Sequence, residues 1–295
     1  MGQHTGEFAA LATALLWTVT ALSFEQAAKR VGSLAVNILR LGIALLFYCI
    51  LSLFRTGHLF PTGLTDTSWL WLSVSGLIGF VFGDYCLFSA YALIGSRVAN
   101  LMMALAPPLA ALFGWIILSE QFTLKGILGM AITLAGIIMV VLRKPGNKFN
   151  LHYSPKGILF GLGAATGQAI GLVFSKLGME GGDPFVSSQV RVIAGFAGFI
   201  ILFAFLRKWD LLRPVFQRAS TVGFITSGSF FGPFLGVSFS LMAIKYTTTG
   251  IASTIMALTP VLLIPPAIFL LKEKVTWRDL LGSLIAVGGV ALFFL

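Results

Sequence analysis

Asp84 has the widest chemical reach in this chain. It lies about one turn from the centre of the hydrophobic stretch Trp69 to Tyr91, where an ionised carboxylate is costly unless paired or hydrated. Such a group binds a substrate ammonium, takes up a coupling proton, or pairs with a basic side chain such as Arg40. Tyr85 and Tyr91 add polar tips to the same stretch. Trp17 and Gln168 fall near the centres of two other apolar stretches. Gln168 brings a donor and an acceptor, Trp17 a large apolar face with one donor, and together they suit a zwitterion with an aromatic or aliphatic side chain. The competing role for Trp17 is packing against lipid or a neighbouring helix. Asn100, Met102, Met103, Ser253 and Met256 are placed to line a cavity, Met being adaptable to varied apolar ligands. Ser238 and Ser240 occupy the stretch equivalent to that of Asp84, although serines in such helices also bond back to the backbone. The candidate substrate-binding set is therefore Trp17, Asp84, Tyr85, Asn100, Met103, Gln168, Ser238 and Met256.

Other chemistries lack their ingredients. His4, His58 and His152 lie in the tail or in loops, no G-x-S-x-G follows a strand, and no His, Cys or carboxylate cluster has metal spacing. Neither an enzyme, a metal centre nor a cofactor site is expected. Cys49 and Cys86 both fall inside apolar stretches and are expected to be packing residues, not a disulfide framework. A channel would show rings of charge or a filter sequence, which a single Asp84 does not supply.

The elements that must position these residues are membrane helices. Hydrophobic residues make up 57% of the chain and charged residues 10%, against about a quarter charged in soluble domains; mean hydropathy is +0.95. Ten apolar runs are each long enough to span a bilayer: Phe8 to Ala28, Leu34 to Phe54, Trp69 to Tyr91, Val98 to Leu118, Leu124 to Leu142, Gly157 to Leu177, Phe185 to Leu206, Val222 to Ile244, Ile251 to Leu271 and Trp277 to Leu295. The runs are continuous, not alternating, which disfavours a β-barrel. The first run has no basic n-region or A-x-A-like cleavage site and is expected to be retained. The net charge of +10 suits cytoplasmic loops beside anionic lipid better than nucleic acid. Fourteen Lys and Arg fall in the loops of one face and only Arg55, Lys125, Lys176 and Lys245 in those of the other, with Arg40 and Arg191 inside helices. The basic face is expected to be cytoplasmic, with both termini outside.

The chain also matches itself. MALAPPLAALFGWIILSEQFT from Met103 pairs with MALTPVLLIPPAIFLLKEKVT from Met256 at an offset of 153, and Trp69 to Leu142 gives seventeen identities in 74 pairs, against roughly six expected by composition. Helices 1 and 2 pair with 6 and 7 at an offset of 151, anchored by Arg40 and Arg191 but otherwise resting on order and length. A unit of five spans inserted twice must have its copies in opposite orientations, and the loop charges agree. The expected fold is an all-α membrane protein of ten transmembrane helices in two inverted five-helix repeats, residues 1–148 and 149–295. Such inverted repeats are the usual build of secondary transporters, with the site near the midplane. Pro107 and Pro260 fall at the midpoints of helices 4 and 9 as matched kinks or gating hinges, and Pro265 and Pro266 bend helix 9 again. Gly79/Gly83 and Gly232/Gly236 permit close helix contact. Glu120 and Glu273 precede Thr123 and Thr276, read as N-caps, and suit a gate rim; Glu25 and Lys176 correspond across the repeat as gate charges.

The paired ALAPPLAAL…SEQFT…G..I.LAG and ALTPVLLI…KEKVT…G..IAVGG elements resemble the EamA repeat of ten-helix members of the drug/metabolite transporter superfamily, in two copies covering nearly the whole chain. That resemblance implies a prokaryotic inner-membrane exporter or facilitator of amino acids or other small metabolites, working by alternating access around a cavity between the halves. Outside termini point within it to the aromatic amino-acid exporter branch. The alternative on the same scaffold is a translocator of lipid-linked headgroups, nucleotide sugars or sugar phosphates. The expected partners are a small-molecule substrate and the bilayer, with no nucleic acid.

Overall fold

The computed structural model describes residues 4–141, 154–269 and 277–294, all of the regular structure being helical. Among them, seven helices are long and apolar enough to cross a membrane and three more are shorter and apolar, giving the ten spans. In a bilayer each backbone amide must be satisfied inside its own segment, so continuous apolar runs become helices. Spans 1 and 2 are Thr5–Val31 and Ser33–Thr56, hinged on Gly32 with φ 81°. Span 3 begins as Asp66–Gly76, loosens into a π-helix over Leu77–Gly83, and continues in helix Asp84–Met103. Cys86 packs on Gly163, Ile94 on Gly157 and Met102 back on Gly161, so the chain reverses inside that helix and span 4 starts without the loop expected before Val98. Span 4 resumes as Ala106–Leu118. Span 5, Leu124–Val141, is capped by the Thr123 hydroxyl, which accepts from Gly126 N at 3.1 Å, as expected; Thr276, its image, lies outside the described residues.

In the second half, spans 6 and 7 are Pro155–Met179 and Pro184–Leu206. Span 8 is Ala219–Ser229, a π-helix over Phe230–Gly236, and Val237–Tyr246. Span 9 is built from Thr249–Met256, Thr259–Leu262 and Ile264–Phe269, and span 10 from Trp277–Ala291. The two π-helices stand 153 residues apart, so each half loosens span 3 or span 8 at the same place.

Packing follows the same operator. Gly83 faces Gln168, Gly79 faces Gly171, Ser75 bonds Ser175, and Gly157 receives Ile94. Their images are Gly236 on Trp17, Gly232 on Thr20, Gly228 on Phe24, and Gly6 on Thr247. Span 3 thus runs antiparallel along span 6, and span 8 along span 1, through small residues that let backbones touch. Spans 5 and 10 meet across the pseudo-axis, Gly136 against Ala286 and Gly289 against Thr133. The operator therefore relates spans 1 and 2 to 6 and 7, where sequence identity is thin.

The termini share one face. His4 and Phe8 stack on Phe294, and Gly6 packs on Thr247 beside Lys176. On this charge-poor face Asp183 caps span 7, accepting from Phe185 N and Val186 N at 2.7 and 3.4 Å, with Pro184 at the first helical position. Arg55 from the end of span 2 donates to it at 2.8 Å. Burial works against the Asp183 carboxylate, but the Arg55 guanidinium and the Phe185 and Val186 amides outweigh it and hold its pKa below the ordinary value.

A side chain at Gly76 would overlap the Arg191 carbonyl, and one at Gly136 would overlap Ala286 N, whereas Gly223 has open space. Gly76→Val and Gly136→Val are expected to destabilise by about 1–3 kcal/mol or to prevent folding, and Gly223→Ala to hold or raise the melting midpoint in detergent; equal effects at the three sites would contradict this packing. Because the folded pKa of Asp183 is depressed, its stabilising contribution is complete above the unfolded value of about 3.9 and is lost as pH falls through the folded value. Thermal melts from pH 7 to 3 should show a smaller acid decline in Asp183→Asn than in the parent chain.

Candidate functional site

The candidate residues take different partners. Asp84 opens the helix after the first π-segment, is 5% exposed, and pairs with the Arg40 guanidinium from span 2. Of its three possible roles, the ion pair is the one formed in this conformer. Arg40 also lies over the Phe24 ring at 5.8 Å. Gln168 Nε2 donates to the Gly79 carbonyl at 3.4 Å, reaching a backbone acceptor within the π-segment. Trp17 packs half-buried with its indole beside Gly236, so Trp17 and Gln168 are images sitting on image glycines.

Ser238 is committed to the protein. Its hydroxyl donates to Phe234 O at 2.8 Å and lies 2.7 Å from the Tyr48 hydroxyl. Tyr48, fully buried, reaches the Pro233 and Phe234 carbonyls at 3.1 and 2.8 Å. Pro233 sits inside the second π-segment, and Tyr48 is what satisfies the acceptors there. Of the two readings of Ser238, the bond back to the backbone is the one formed here. Tyr85 is 42% exposed and meets Phe160 edge-on, turned from buried Asp84 by the roughly 100° that separates successive residues on a helix. Asn100 belongs to helix Asp84–Met103, with its side chain outside the described residues.

Met103 and Met256 each end a helical segment just before spans 4 and 9 break. Pro107 and Pro260 are not kinks within continuous helices; they occupy the first turns of new segments starting at Ala106 and Thr259. The cause is local. Proline has no N–H to give the carbonyl four residues earlier, so the chain tightens, Leu105 N donating to Met102 O at 3.0 Å and Leu258 N to Ile255 O at 3.1 Å. The halves differ in their bonding here: Val261 N donates to Leu258 O at 2.8 Å, where the image residue, Pro108, has no N–H. Thr259 Oγ1 donates to Met256 O at 3.0 Å, supplying the donor that Pro260 lacks, while Ala106 stands at the equivalent place and has no hydroxyl.

A polar lock ties spans on the charge-poor face. Lys176 Nζ donates to Glu120 Oε1 at 2.7 Å and to Thr247 O at 2.8 Å. Glu120, with its side chain 6% exposed, also accepts from the Thr249 amide and hydroxyl at 2.9 and 2.7 Å. Lys245 donates to Gly182 O at 2.9 Å. The image of Lys176 is Glu25, whose side chain is 46% exposed and, among the described residues, bonds Lys29 on its own helix. Glu273, the image of Glu120, lies outside the described residues. Between spans 2 and 7 a cleft of about 180 Å³ remains, lined by Tyr48, Ser52, Arg55, Asp183, Phe185 and Gln189 among others.

Asn37, Tyr48, Ser187 and Ser188, all buried, do not stand out in the sequence; they join Arg191, already matched to Arg40. A signal exists: N-I-L-R at 37–40 and S-Q-V-R at 188–191 align at the 151 offset, each a hydrogen-bonding side chain three residues before an arginine within an apolar run.

Two segments of the chain, residues 4–142 and 155–295, match the model of the EamA-like transporter family. The chain is similar to an uncharacterized transporter, YdfC, of Bacillus subtilis (strain 168), 26% identical over 226 residues, 75% of this chain and 69% of that one. An uncharacterized transporter of Buchnera aphidicola subsp. Schizaphis graminum (strain Sg) is 32% identical over 119 residues, 40% of this chain and 37% of its own. Solute carrier family 35 member G1 of Homo sapiens is 25% identical over 216 residues, 70% of this chain and 57% of its own. A solved crystal structure superposes with a TM-score of 0.77 at 19% identity, over 99% of this chain and 96% of that one, which shows a shared fold. With both halves matched and the ten-span arrangement complete, the chain belongs to the EamA-like transporter family.

Proposed function

We propose that this EamA-type transporter is a secondary carrier that exports amino acids or similar small metabolites by alternating access between its halves. The observation that carries the reading is a symmetric scaffold in an asymmetric state. Image contacts repeat between spans 3 and 6 and between spans 8 and 1, yet the Lys176–Glu120–Thr249 lock exists on one face while Glu25 at the image of Lys176 is exposed. Inverted repeats exchange such environments when a carrier turns over, so the opposite conformer releases the lock and closes around Glu25. The breaks before Pro107 and Pro260 are where spans 4 and 9 bend, and Trp17 with Gln168 sits on the contact lines that the two halves share.

The loop charges support a cytoplasmic basic face with both termini outside, in a bacterial inner membrane. In that sense the lock and the cleft beside Arg55 and Asp183 both lie on the outer face. A reporter fused after Leu295 should be active only when it is an enzyme that works outside the cytoplasm, such as alkaline phosphatase; activity from a cytoplasm-dependent reporter instead would reverse the sidedness.

Purified chain in liposomes preloaded with a panel of L-amino acids should drive saturable counterflow of the labelled solute. Current that does not saturate would mean a channel, and lipid scrambling without amino-acid flux would favour the headgroup translocator. In the same assay Asp84→Asn tests proton coupling: breaking the buried Arg40–Asp84 pair is expected to lower flux at least tenfold and to flatten its dependence on a pH gradient. Flux and pH dependence both unchanged would remove Asp84 from the mechanism.

A further inference from the structure

Two pseudo-equivalent polar clusters lie inside the membrane, and only one of them contains its own carboxylate. In the first half Asn37 and Arg40 stand one turn apart on span 2, 1% and 8% exposed. In the second half Ser188 and Arg191, their images, stand one turn apart on span 7, with Ser187 a further position along; Ser187 and Ser188 are fully buried and Arg191 is 5% exposed. Each arginine is seven residues from its span's start, about 10 Å deep at 1.5 Å per residue, and the spans start at opposite faces. The clusters therefore sit at mirrored depths on either side of the midplane.

Their hydrogen bonding differs. Arg40 is neutralised by Asp84, whose image is Val237. Among the described residues no carboxylate reaches Arg191; its guanidinium lies over the Phe80 ring at 5.0 Å, and its Nε, like that of Arg40, is buried without a partner. The hydroxyl of Ser187 is likewise buried without a hydrogen bond, and that of Ser188 is turned toward the Tyr48 hydroxyl. Tyr48 faces both Ser188 and Arg191 and lines the cleft that reaches the charge-poor face past Arg55 and Asp183. A buried guanidinium that no carboxylate reaches and a Ser187 hydroxyl without a partner offer donors, with Ser188 beside them, to an acceptor-only anion. Buried charges are ordinarily paired, and intramembrane ionisable groups mark substrate paths.

We infer that Arg191, with Ser188 and Ser187, binds the carboxylate of the transported solute, in the role that Asp84 fills toward Arg40 in the other half. A planar carboxylate suits the guanidinium fork, and Phe80 limits the approach to one side of it. The inference rests on the carrier reading above and narrows its substrates to solutes with a free carboxylate. The two arginines then form successive stations across the midplane. At Arg40 the solute competes with Asp84, so a carboxylate leaves the Arg191 station without remaining trapped at the next one.

The test uses full-length purified chain, melted in detergent with L-phenylalanine, L-leucine, L-threonine and L-aspartate and with the carboxamide of each, followed by counterflow in liposomes. At least one free amino acid should raise the melting midpoint, its carboxamide should not, and Arg191→Gln should weaken the response about ten- to a hundredfold in concentration. Arg191→Lys should restore part of it, and Ser188→Ala should weaken it by a smaller factor. If Arg191→Gln does not fold, the lysine and serine variants give the same ranking. Equal responses to acid and amide, no response to any acid, or responses unaltered by the Arg191 and Ser188 variants would overturn the assignment. Counterflow without carboxylate preference would leave the carrier reading standing and remove this site, whereas carboxylate binding without any flux would keep the site and remove the carrier.

Discussion

Backbone contact along two antiparallel seams, span 3 on span 6 and span 8 on span 1, sets where everything else in the molecule can lie. Without a hydrophobic drive between helices in lipid, association depends on how closely backbones approach, and Gly79 on Gly171 or Gly232 on Thr20 brings them to contact. That closeness fixes the rotation of span 3, which in turn aims Asp84 at Arg40 and lays Phe80 beneath Arg191. The π-segments fall on the same seams, and they expose carbonyls that Gln168 and Tyr48 satisfy. One constraint thus places both the scaffold contacts and the buried polar groups.

The duplication in spans 3 to 5 and 8 to 10 is legible in sequence because its matched positions are glycines, prolines and small residues, which few substitutes can replace where backbones touch or helices break. Spans 1, 2, 6 and 7 hold their pairing through shape rather than identity: Trp17 and Gln168 are unlike residues on like contacts. The positions of Pro107 and Pro260 are readable, but whether a proline bends a helix or starts one depends on which hydrogen bonds the flanking residues can make, and Leu105 and Leu258 decide that through tightened turns. Tyr85 and Ser238 stand out as polar residues in apolar runs, yet their direction depends on partners distant in the chain, Phe160 and Tyr48. Arg40 and Arg191 are legible as a matched pair, but Asn37 and Ser188 are hidden for the same reason: each looks like a lone polar residue until the fold places the two arginines at mirrored depths.

Symmetry is therefore a property of the frame, and difference a property of its contents. Asp84 against Val237, Tyr48 against Phe199 and Lys176 against Glu25 are image positions with opposed chemistry. A transporter needs both. The shared frame makes two conformers accessible, and the divergent side chains give each conformer distinct interactions with solute, proton and solvent.

The Thr259 hydroxyl on the Met256 carbonyl carries this into mechanics. A break whose orphaned carbonyl is held by a neighbouring side chain is a stiff joint; the same break with Ala106 in that place is a slack one. A perfectly symmetric duplication would populate two mirror-image shapes equally and would idle without preference. Unequal joints tilt that balance, and a difference of about 1.4 kcal/mol already biases the idle population tenfold. The direction in which such a carrier waits is thus written where its two copies have stopped resembling each other.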